Sequence, residues 1–403
     1  MTLSEELTWR GFVNQMTYKD ITELDGDPIS FYWGVDPSAC SMQVGNLAAA
    51  MMVRHFIDYG HKANLLVGGA TGMIGDPDGK KAERDLKTLD EINANVAGIS
   101  DQYKTVFAGK DFSIVNNYDW FKDINYLDFL RDVGKNLSMT QLLDRDFVKS
   151  RIGEGGSGIS YAEFSYSMIQ GYDFLHLYRE FGVTLQVCGA DQWGNSLAGV
   201  EMIRKLESVE AHVYSTPLIV NKTTGVKFGK SEDGAIWLDE NLTSVYRFYQ
   251  FWLNVDDAGV VDYLKVYTLL SKGEIEHIEN ESQSDPSARI AQKRLAYEVT
   301  AIVHGERRAQ TAERVTKHIF TNVSSSKLTI DDFDMLSDEL PTAESGNLSQ
   351  ILVDSGAAAS KSQARQLILS GAISIEGQKV FEDIVLESLT ILKKGKNTFI
   401  LVR

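Results

Sequence analysis

The chain has 403 residues, 43% of them hydrophobic and 10% aromatic, ample length for two or three globular domains with buried cores. Its formal net charge of −16 argues against a generally basic nucleic-acid binder, yet residues 346–403 hold seven Lys/Arg against five Asp/Glu, so an anionic polymer is expected to be gripped locally. Two cysteines (Cys40, Cys188) are no disulfide framework, MTLSEELTWRGF is no signal peptide and no apolar run reaches a membrane span, which makes the cytosol the expected compartment.

In chain order, residues 29–35 predict a buried strand, 44–59 a helix, and 63–67 a second strand closed by the glycine-rich GGATGMIGD turn. Strand–helix–strand order implies a parallel pair with a right-handed crossover. The pattern recurs with a helix over 161–181, a strand over 184–188 and a helix over 195–206. The expected fold class is α/β, a doubly wound parallel (Rossmann-like) sheet. Ligands bind at the carboxyl ends of such strands, where Gly34, Gly68 and Gly189 fall. After Ser231 strand signals give way to helical stretches such as 287–304, which predict an α-helical domain. The polar, acidic segment TNVSSSKLTIDDFDMLSDELPTAES reads as a linker. The expected division is an α/β domain over 1–220 with a connective insertion near 120–165, a loop and helical domain over 221–322, a linker over 323–345, and a small α+β domain over 346–403.

KFGKS at 227–231 sets Lys227 and Lys230 three apart around a glycine. Two cations can then reach one phosphate chain, while Ser231 adds a hydroxyl donor. A solvated basic turn is the plainer alternative. The phosphate loop G-x-x-x-x-G-K-[ST] does not fit, because the span between Gly225 and Gly229 is one residue short and SEDGAIWLD is not the helix that should follow. DPSACSMQVGNL at 36–47 ends a strand and starts a helix. The exposed N–H groups of such a helix start suit an anion, with Ser38, Gln43 and Asn46 as uncharged donors; a capped helix alone would look similar. Asp76 could hold an ammonium, and Lys80 and Arg84 could close over phosphates, surface charge being the alternative for the basic pair. Tyr166, Gln170 and Asp173 follow at i, i+4 and i+7 and share one helix face. Among Phe164, Met168 and Phe174 those polar groups need partners, which a small polar ligand would supply. An amphipathic surface helix is the alternative. In CGADQWGN, Gly189 allows close approach, and Asp191 and Gln192 can hydrogen-bond a ribose or carboxylate. No Cys/His cluster has metal-ligand spacing.

YWGVDPSA, QVGN, GGATGMIGDP, NNYDW, EFSYSMIQGYD, GADQWGN and KFGKS occur in this order, and together they make the chain resemble the bacterial-type tyrosyl-tRNA synthetases over essentially its whole length. These are class I enzymes, and the last domain resembles the RNA-binding fold of a small-subunit ribosomal protein. The resemblance implies a tyrosine–tRNA ligase. ATP and tyrosine would give tyrosyl-adenylate and pyrophosphate, and tyrosine would then pass to the 3′ end of tRNA(Tyr). Tyr32 and Asp173 would hydrogen-bond the phenol hydroxyl, Tyr166, Asp76 and Gln170 would hold the ammonium, and Gln192 would face the carboxylate. Gly34, Gly189 and Asp191 would contact adenosine, with Asp36, Gly45 and Asn46 also on the ATP side. Ser38 and Gln43 would meet the terminal phosphates, and Lys80, Arg84, Lys227, Lys230 and Ser231 would close over them. Mg2+ would accompany ATP. A cytoplasmic homodimer with no membrane attachment is implied, with 221–322 as the anticodon-side domain.

Two positions depart from the family pattern. Gln43 stands where the family's HIGH-type signature has histidine, and Asn46 where it often has one. Glutamine donates but carries no charge, so slower activation and heavier reliance on the lysines are expected. Trp33 stands where many members have a small residue beside the ribose. A tryptophanyl-tRNA synthetase, which shares the fold, and a non-catalytic RNA-binding paralogue are the alternatives.

Overall fold

The structure is a computed structural model that describes the chain apart from residues 77–86, 138, 140–142, 144–145, 154–157, 227, 232–233, 322–328, 338, 376, 388 and 396–397. The side chains at 146–147, 150, 230–231 and 321 also lie outside the description. Lys80, Arg84 and Lys227 are therefore outside the described residues, and Lys230 and Ser231 are described in backbone alone. Packing divides the chain into two compact units, Met1–Leu242 with Val255–Leu295, and Thr243–Asn254 with Ala296–Arg403.

In the first unit, six strands among the described residues form one sheet: β1 (Gln15–Met16), β2 (Ser30–Val35), β3 (Lys62–Val67), β4 (Phe112–Asn116), β5 (Leu185–Gly189) and β6 (His212–Thr216). Their order is β1-β6-β5-β2-β3-β4. All neighbours run parallel except β1, which pairs antiparallel with β6. Beyond Lys62, β3 is continuously buried, as expected of a parallel strand covered on both faces. On one face the Val44–Asp58 helix brings Phe56 against Phe31 and Tyr214, with ring centroids 5.3 and 5.6 Å apart. On the other, the Tyr161–Phe181 helix sets Phe174 against Tyr32, 5.2 Å between centroids. The doubly wound arrangement expected from the sequence is present. The chain passes from β2 to β3 and β4 on one side, then returns on the other side of β2 with β5. That reversal of strand order opens a crevice at the carboxyl ends of β2 and β5.

The Tyr161–Phe181 helix starts in a capping box: Ser160 Oγ accepts from the Glu163 N–H and the Glu163 carboxylate accepts from the Ser160 N–H. It ends at Gly182, whose φ of +63° suits glycine. Its contact with the Trp193–Glu207 helix depends on Gly199, since a Cβ there would lie 2.7 Å from Phe174 Cβ. Where a helix is expected over 287–304, the regular helix is Ile290–His304. Pro286–Ala288 forms a separate 3-10 turn, and Arg289 adopts φ +51°, which breaks the helical path.

The second unit combines helices with a five-stranded sheet, in the order Gln378–Val380, Ile373–Ile375, Thr390–Lys394, Thr398–Val402, Thr342–Ala343. The Leu348–Asp354 and Lys361–Leu369 helices cover it, burying Leu352, Ala364 and Ile368 with Ile373, Leu392 and Ile400. The small α+β fold expected at the end of the chain is thus present. Within the stretch read as a linker, Ile330–Ser337 is a helix whose Phe333 and Leu336 pack with Val315, Ile319, Ile391 and Leu401. Its start is fixed by the buried Asp332 carboxylate, which accepts from the Thr329 N–H at 2.7 Å and from Arg314 at 2.7 Å. Among the described residues no helix is long and apolar enough to cross a membrane.

Candidate active site

A cavity of about 350 Å3 opens at the crevice between β2 and β5. It gathers Tyr32, Gly34, Asp36, Ser38, Gln43, Gly45, Asn46, Asp76, Tyr166, Gln170, Asp173, Gly189, Asp191 and Gln192, every fully described residue to which the resemblance gives a ligand contact, whereas Gly68 is not among the lining residues. Elements far apart in sequence meet here because parallel strands present their carboxyl ends on one edge. Four of the lining residues are aspartates, and none of the described ones is Lys or Arg. Such a wall favours a cationic group.

At the deep end lies Asp173, 2% exposed. Its carboxyl oxygens accept from Trp120 Nε1 at 2.9 Å and Asn117 Nδ2 at 3.1 Å. Burial pushes the Asp173 carboxyl well above the usual carboxylate range, Asn117 and Trp120 oppose the rise, and nearby Asp36 adds to it. Beside it the Tyr32 hydroxyl is buried with no hydrogen-bond partner. Burial and the neighbouring Asp173 push that phenol up. A buried hydroxyl next to a buried carboxyl, at the end of a cavity, is an arrangement that a ligand hydroxyl completes.

Further along, Tyr166 donates its hydroxyl proton to Asp36 at 2.7 Å, and Thr71 Oγ1 donates to the other Asp36 oxygen at 2.6 Å. Burial raises the Tyr166 phenol, with Asp36, Asp76 and Asp173 adding to the rise. Gln170 Oε1 is buried without a partner. Gln192 Nε2 donates to Asp76 at 2.6 Å, and Gln192 Oε1 accepts from Asn195 at 3.3 Å. In this arrangement Gln192 is tied to Asp76, so facing a carboxylate requires its amide to exchange partners.

The half of the cavity beside the Val44–Asp58 helix follows a different pattern. Gln43 precedes the Val44–Asp58 helix, and its N–H donates to Asn46 Oδ1 at 3.0 Å. The helix start is less open than the sequence suggests: the Val44 N–H donates to Ile236 O and the Asn46 N–H to Gln43 O. The reason is the hairpin Lys230–Ser231 with Gly234–Ala235. Gly229, at φ +93°, comes so near that a Cβ would lie 3.3 Å from the Gly45 nitrogen, and Ile236 donates back to Gly229 O. Gly229 therefore rests on the helix start, with Phe228 in the cavity wall. Burial pushes the Cys188 thiol up to about 12, making it an inert wall residue. Trp33 is 3% exposed, and its ring packs 5.5 Å from Tyr103 and 6.4 Å from Phe107. Much of its bulk packs into the core, while part of the residue lines the cavity.

Asn117, Trp120 and Thr71 are the residues sequence reasoning does not assign. NNYDW carries the first two, but neither spacing nor composition ties residues 117 and 120 to residue 173.

Residues 24–321 match the family of class I tRNA synthetases (W and Y), and residues 332–402 match the tyrosine–tRNA ligase SYY-like C-terminal domain. The chain is 42% identical to tyrosine–tRNA ligase 2 of Bacillus cereus, covering 100% of this chain and 99% of that one. It is 43% identical to the tyrosine–tRNA ligase of Geobacillus kaustophilus, covering 100% of both. Its fold matches a C-terminally truncated mitochondrial tyrosyl-tRNA synthetase of Aspergillus nidulans with a TM-score of 0.72 and 31% identity, covering 79% of this chain and 94% of that one. With a matched family spanning most of the chain and full-length relatives above 40% identity, the chain belongs to the class I tRNA synthetases, in the tyrosine–tRNA ligase family.

Proposed function

We propose that this chain activates tyrosine with ATP and transfers it to tRNA(Tyr). The observation that carries the amino-acid choice is the unpartnered Tyr32 hydroxyl beside the buried Asp173. A phenol hydroxyl satisfies both, whereas phenylalanine would leave them unpaired in a dry site; tyrosyl-tRNA synthetases are the standard example of such discrimination. Gln170 Oε1, the Tyr166 oxygen and Asp76 then offer acceptors to the ammonium. Asp36, expected on the ATP side, is assigned a positioning part as well, since it holds the Tyr166 hydroxyl.

The tyrosine carboxylate attacks the α-phosphorus of ATP, the bond to the bridging oxygen breaks, and pyrophosphate leaves with its charge. No covalent enzyme nucleophile is required, so catalysis is positioning and charge stabilisation. Gly34, Gly189 and Asp191 are assigned to adenosine, with Gly45 and Asn46 beside it, and Ser38 and Gln43 to the phosphates. Lys80, Arg84, Lys227, Lys230 and Ser231 are assigned to the charge that grows on pyrophosphate. The described donors near the phosphate end, Ser38 and Gln43, are neutral. Mg2+ brought in with ATP would supply positive charge at that end, beside the neutral donors Ser38 and Gln43. In the second step the terminal ribose hydroxyl of the tRNA attacks the acyl carbon and AMP leaves.

Amino-acid-dependent exchange of pyrophosphate into ATP tests this. Exchange with tyrosine is expected; exchange with tryptophan alone would replace the substrate, and none with any amino acid would favour the RNA-binding paralogue. For the transfer step, removing residues 346–403 would strip Ile391 and Leu401 from the core around Val315 and Phe333. Reversing the exposed Lys361 and Lys379 to Glu is the cleaner probe. It should raise the KM for tRNA by roughly fivefold while adenylate formation is unchanged; unchanged charging would remove this face from the tRNA contact.

We also assign a cytosolic homodimer. Tyr126, Leu127 and Tyr161 are exposed apolar side chains in or beside the connective insertion, the kind of surface that self-associates. Both cysteines are free thiols, as suits a reducing compartment. Light scattering on the purified chain decides the dimer.

A further inference from the structure

We infer that Thr216 is a further nucleotide-binding residue whose hydroxyl completes a hydrogen bond to the purine base of ATP, an inference that rests on the adenylate-forming reading of the cavity. Thr216 ends β6 and pairs with Gly189, beside the turn that carries Asp191. It is 3% exposed, lines the cavity, and its Oγ1 is buried with no hydrogen-bond partner. Neighbouring hydroxyls are committed. Thr71 donates to Asp36 at 2.6 Å, Ser196 to Gln192 O at 2.8 Å, Ser167 to Asn195 at 2.9 Å, and Ser215 to Gln15 O at 3.1 Å. A hydroxyl kept from water without a partner weakens a fold. Valine would fill the same space in a strand and avoid that cost. Folding therefore gives no reason for this oxygen, and a ligand does.

Its position says which ligand. Side chains two apart on a strand share a face, so Thr216 lies on the face of Tyr214, whose ring meets Phe56 of the Val44–Asp58 helix at 5.6 Å. Tyr32, against Phe174, lies on the opposite face. The hydroxyl thus belongs to the half of the cavity that holds Gly45, away from the phenol end. Around that half stand Ala48, Ala49, Leu218, Ile219 and Phe228, an apolar lining suited to the faces of a flat base. One hydroxyl, both donor and acceptor, meets a ring nitrogen or amino group at its edge. Tyr214 also has an unpartnered hydroxyl, but it is not among the cavity walls.

The test uses Thr216→Val and Thr216→Ser in the full chain, with ATP alone titrated by calorimetry and pyrophosphate exchange measured at saturating tyrosine. Thr216→Val should weaken ATP about fivefold, within the ~2- to ~12-fold worth of one net hydrogen bond. The KM for tyrosine should stay within about twofold, Tm should not fall, and Thr216→Ser should keep ATP affinity. Unchanged ATP affinity with a raised Tm would make the oxygen a structural orphan and overturn the inference, as would equal losses for ATP and tyrosine. Absence of tyrosine-dependent exchange in the unaltered chain would sink the adenylate reading instead, and the calorimetric comparison would still decide the role of Thr216.

Discussion

Around the amino-acid half of the cavity, polar groups are fixed before any ligand arrives: Asn117 and Trp120 hold Asp173, and Tyr166 and Thr71 hold Asp36. In the half proposed for the nucleotide the walls are Gly45, Ala48, Leu218, Ile219 and Phe228, and Gly229 is laid against a helix start. In the proposed function the first half is a hydrogen-bonded template in which a wrong side chain would strand buried groups. On the proposed function the second would grip by shape and leave charge handling to Lys80, Arg84, Lys227 and Lys230, so that its contribution would belong mainly to the transition state. The proposed function thus puts selectivity and rate at opposite ends of one cavity.

The comparison breaks most readily at Lys230. Lys230→Ala should slow tyrosyl-adenylate formation on the order of a hundredfold or more, with tyrosine affinity nearly unchanged. Rapid-quench measurement of the single-turnover rate checks this, and equal losses in rate and tyrosine affinity would dissolve the contrast. Trp120→Phe should act the other way. Losing the indole donor to Asp173 should lower kcat/KM for tyrosine about tenfold, reduce discrimination against phenylalanine, and leave the KM for ATP alone. A change in ATP binding there would show that the halves are coupled.

Gln43→His should raise the rate of adenylate formation by roughly threefold, more at pH 6 than at pH 8, because imidazole then carries charge beside the phosphates. No gain would mean that the lysines already supply all the charge the step uses. The smallest effects concern stability. In the Val44–Asp58 helix, burial lowers His55 to about 3, with Arg10 and Arg54 adding to the fall. The unfolded chain therefore takes up the proton first as pH drops. Stability should decline below pH ~6.5, by at most ~1.4 kcal/mol per unit, and His55→Gln should flatten that slope in urea titrations. Asp173 has the opposite sign. Its raised carboxyl binds the proton more tightly when folded, so its contribution is present below pH ~4 and fades as pH rises.

The sequence determined the winding of the sheet and the membership of the cavity. The short apolar run at residues 31–33 and the largely apolar 63–67, interrupted by Asn64, read as buried strands, and the glycines after them mark where the crossover turns lie. The 3.6-residue repeat likewise placed Tyr166, Gln170 and Asp173 on one face. Tertiary structure decided what each polar group does before a ligand comes. That Asn117 and Trp120 belong to Asp173, that Gln192 is tied to Asp76, and that Gly229 rests on Gly45 are contacts between segments dozens to nearly two hundred residues apart. Local spacing cannot encode such contacts, because each depends on how whole elements pack. The same holds for residues 330–337, where an acidic stretch with the air of a linker folds as a helix. Phe333 and Leu336 find a buried partner surface in segments before and after it. Burial of a side chain is a property of its neighbours, and neighbours in space are what a linear sequence leaves unsaid.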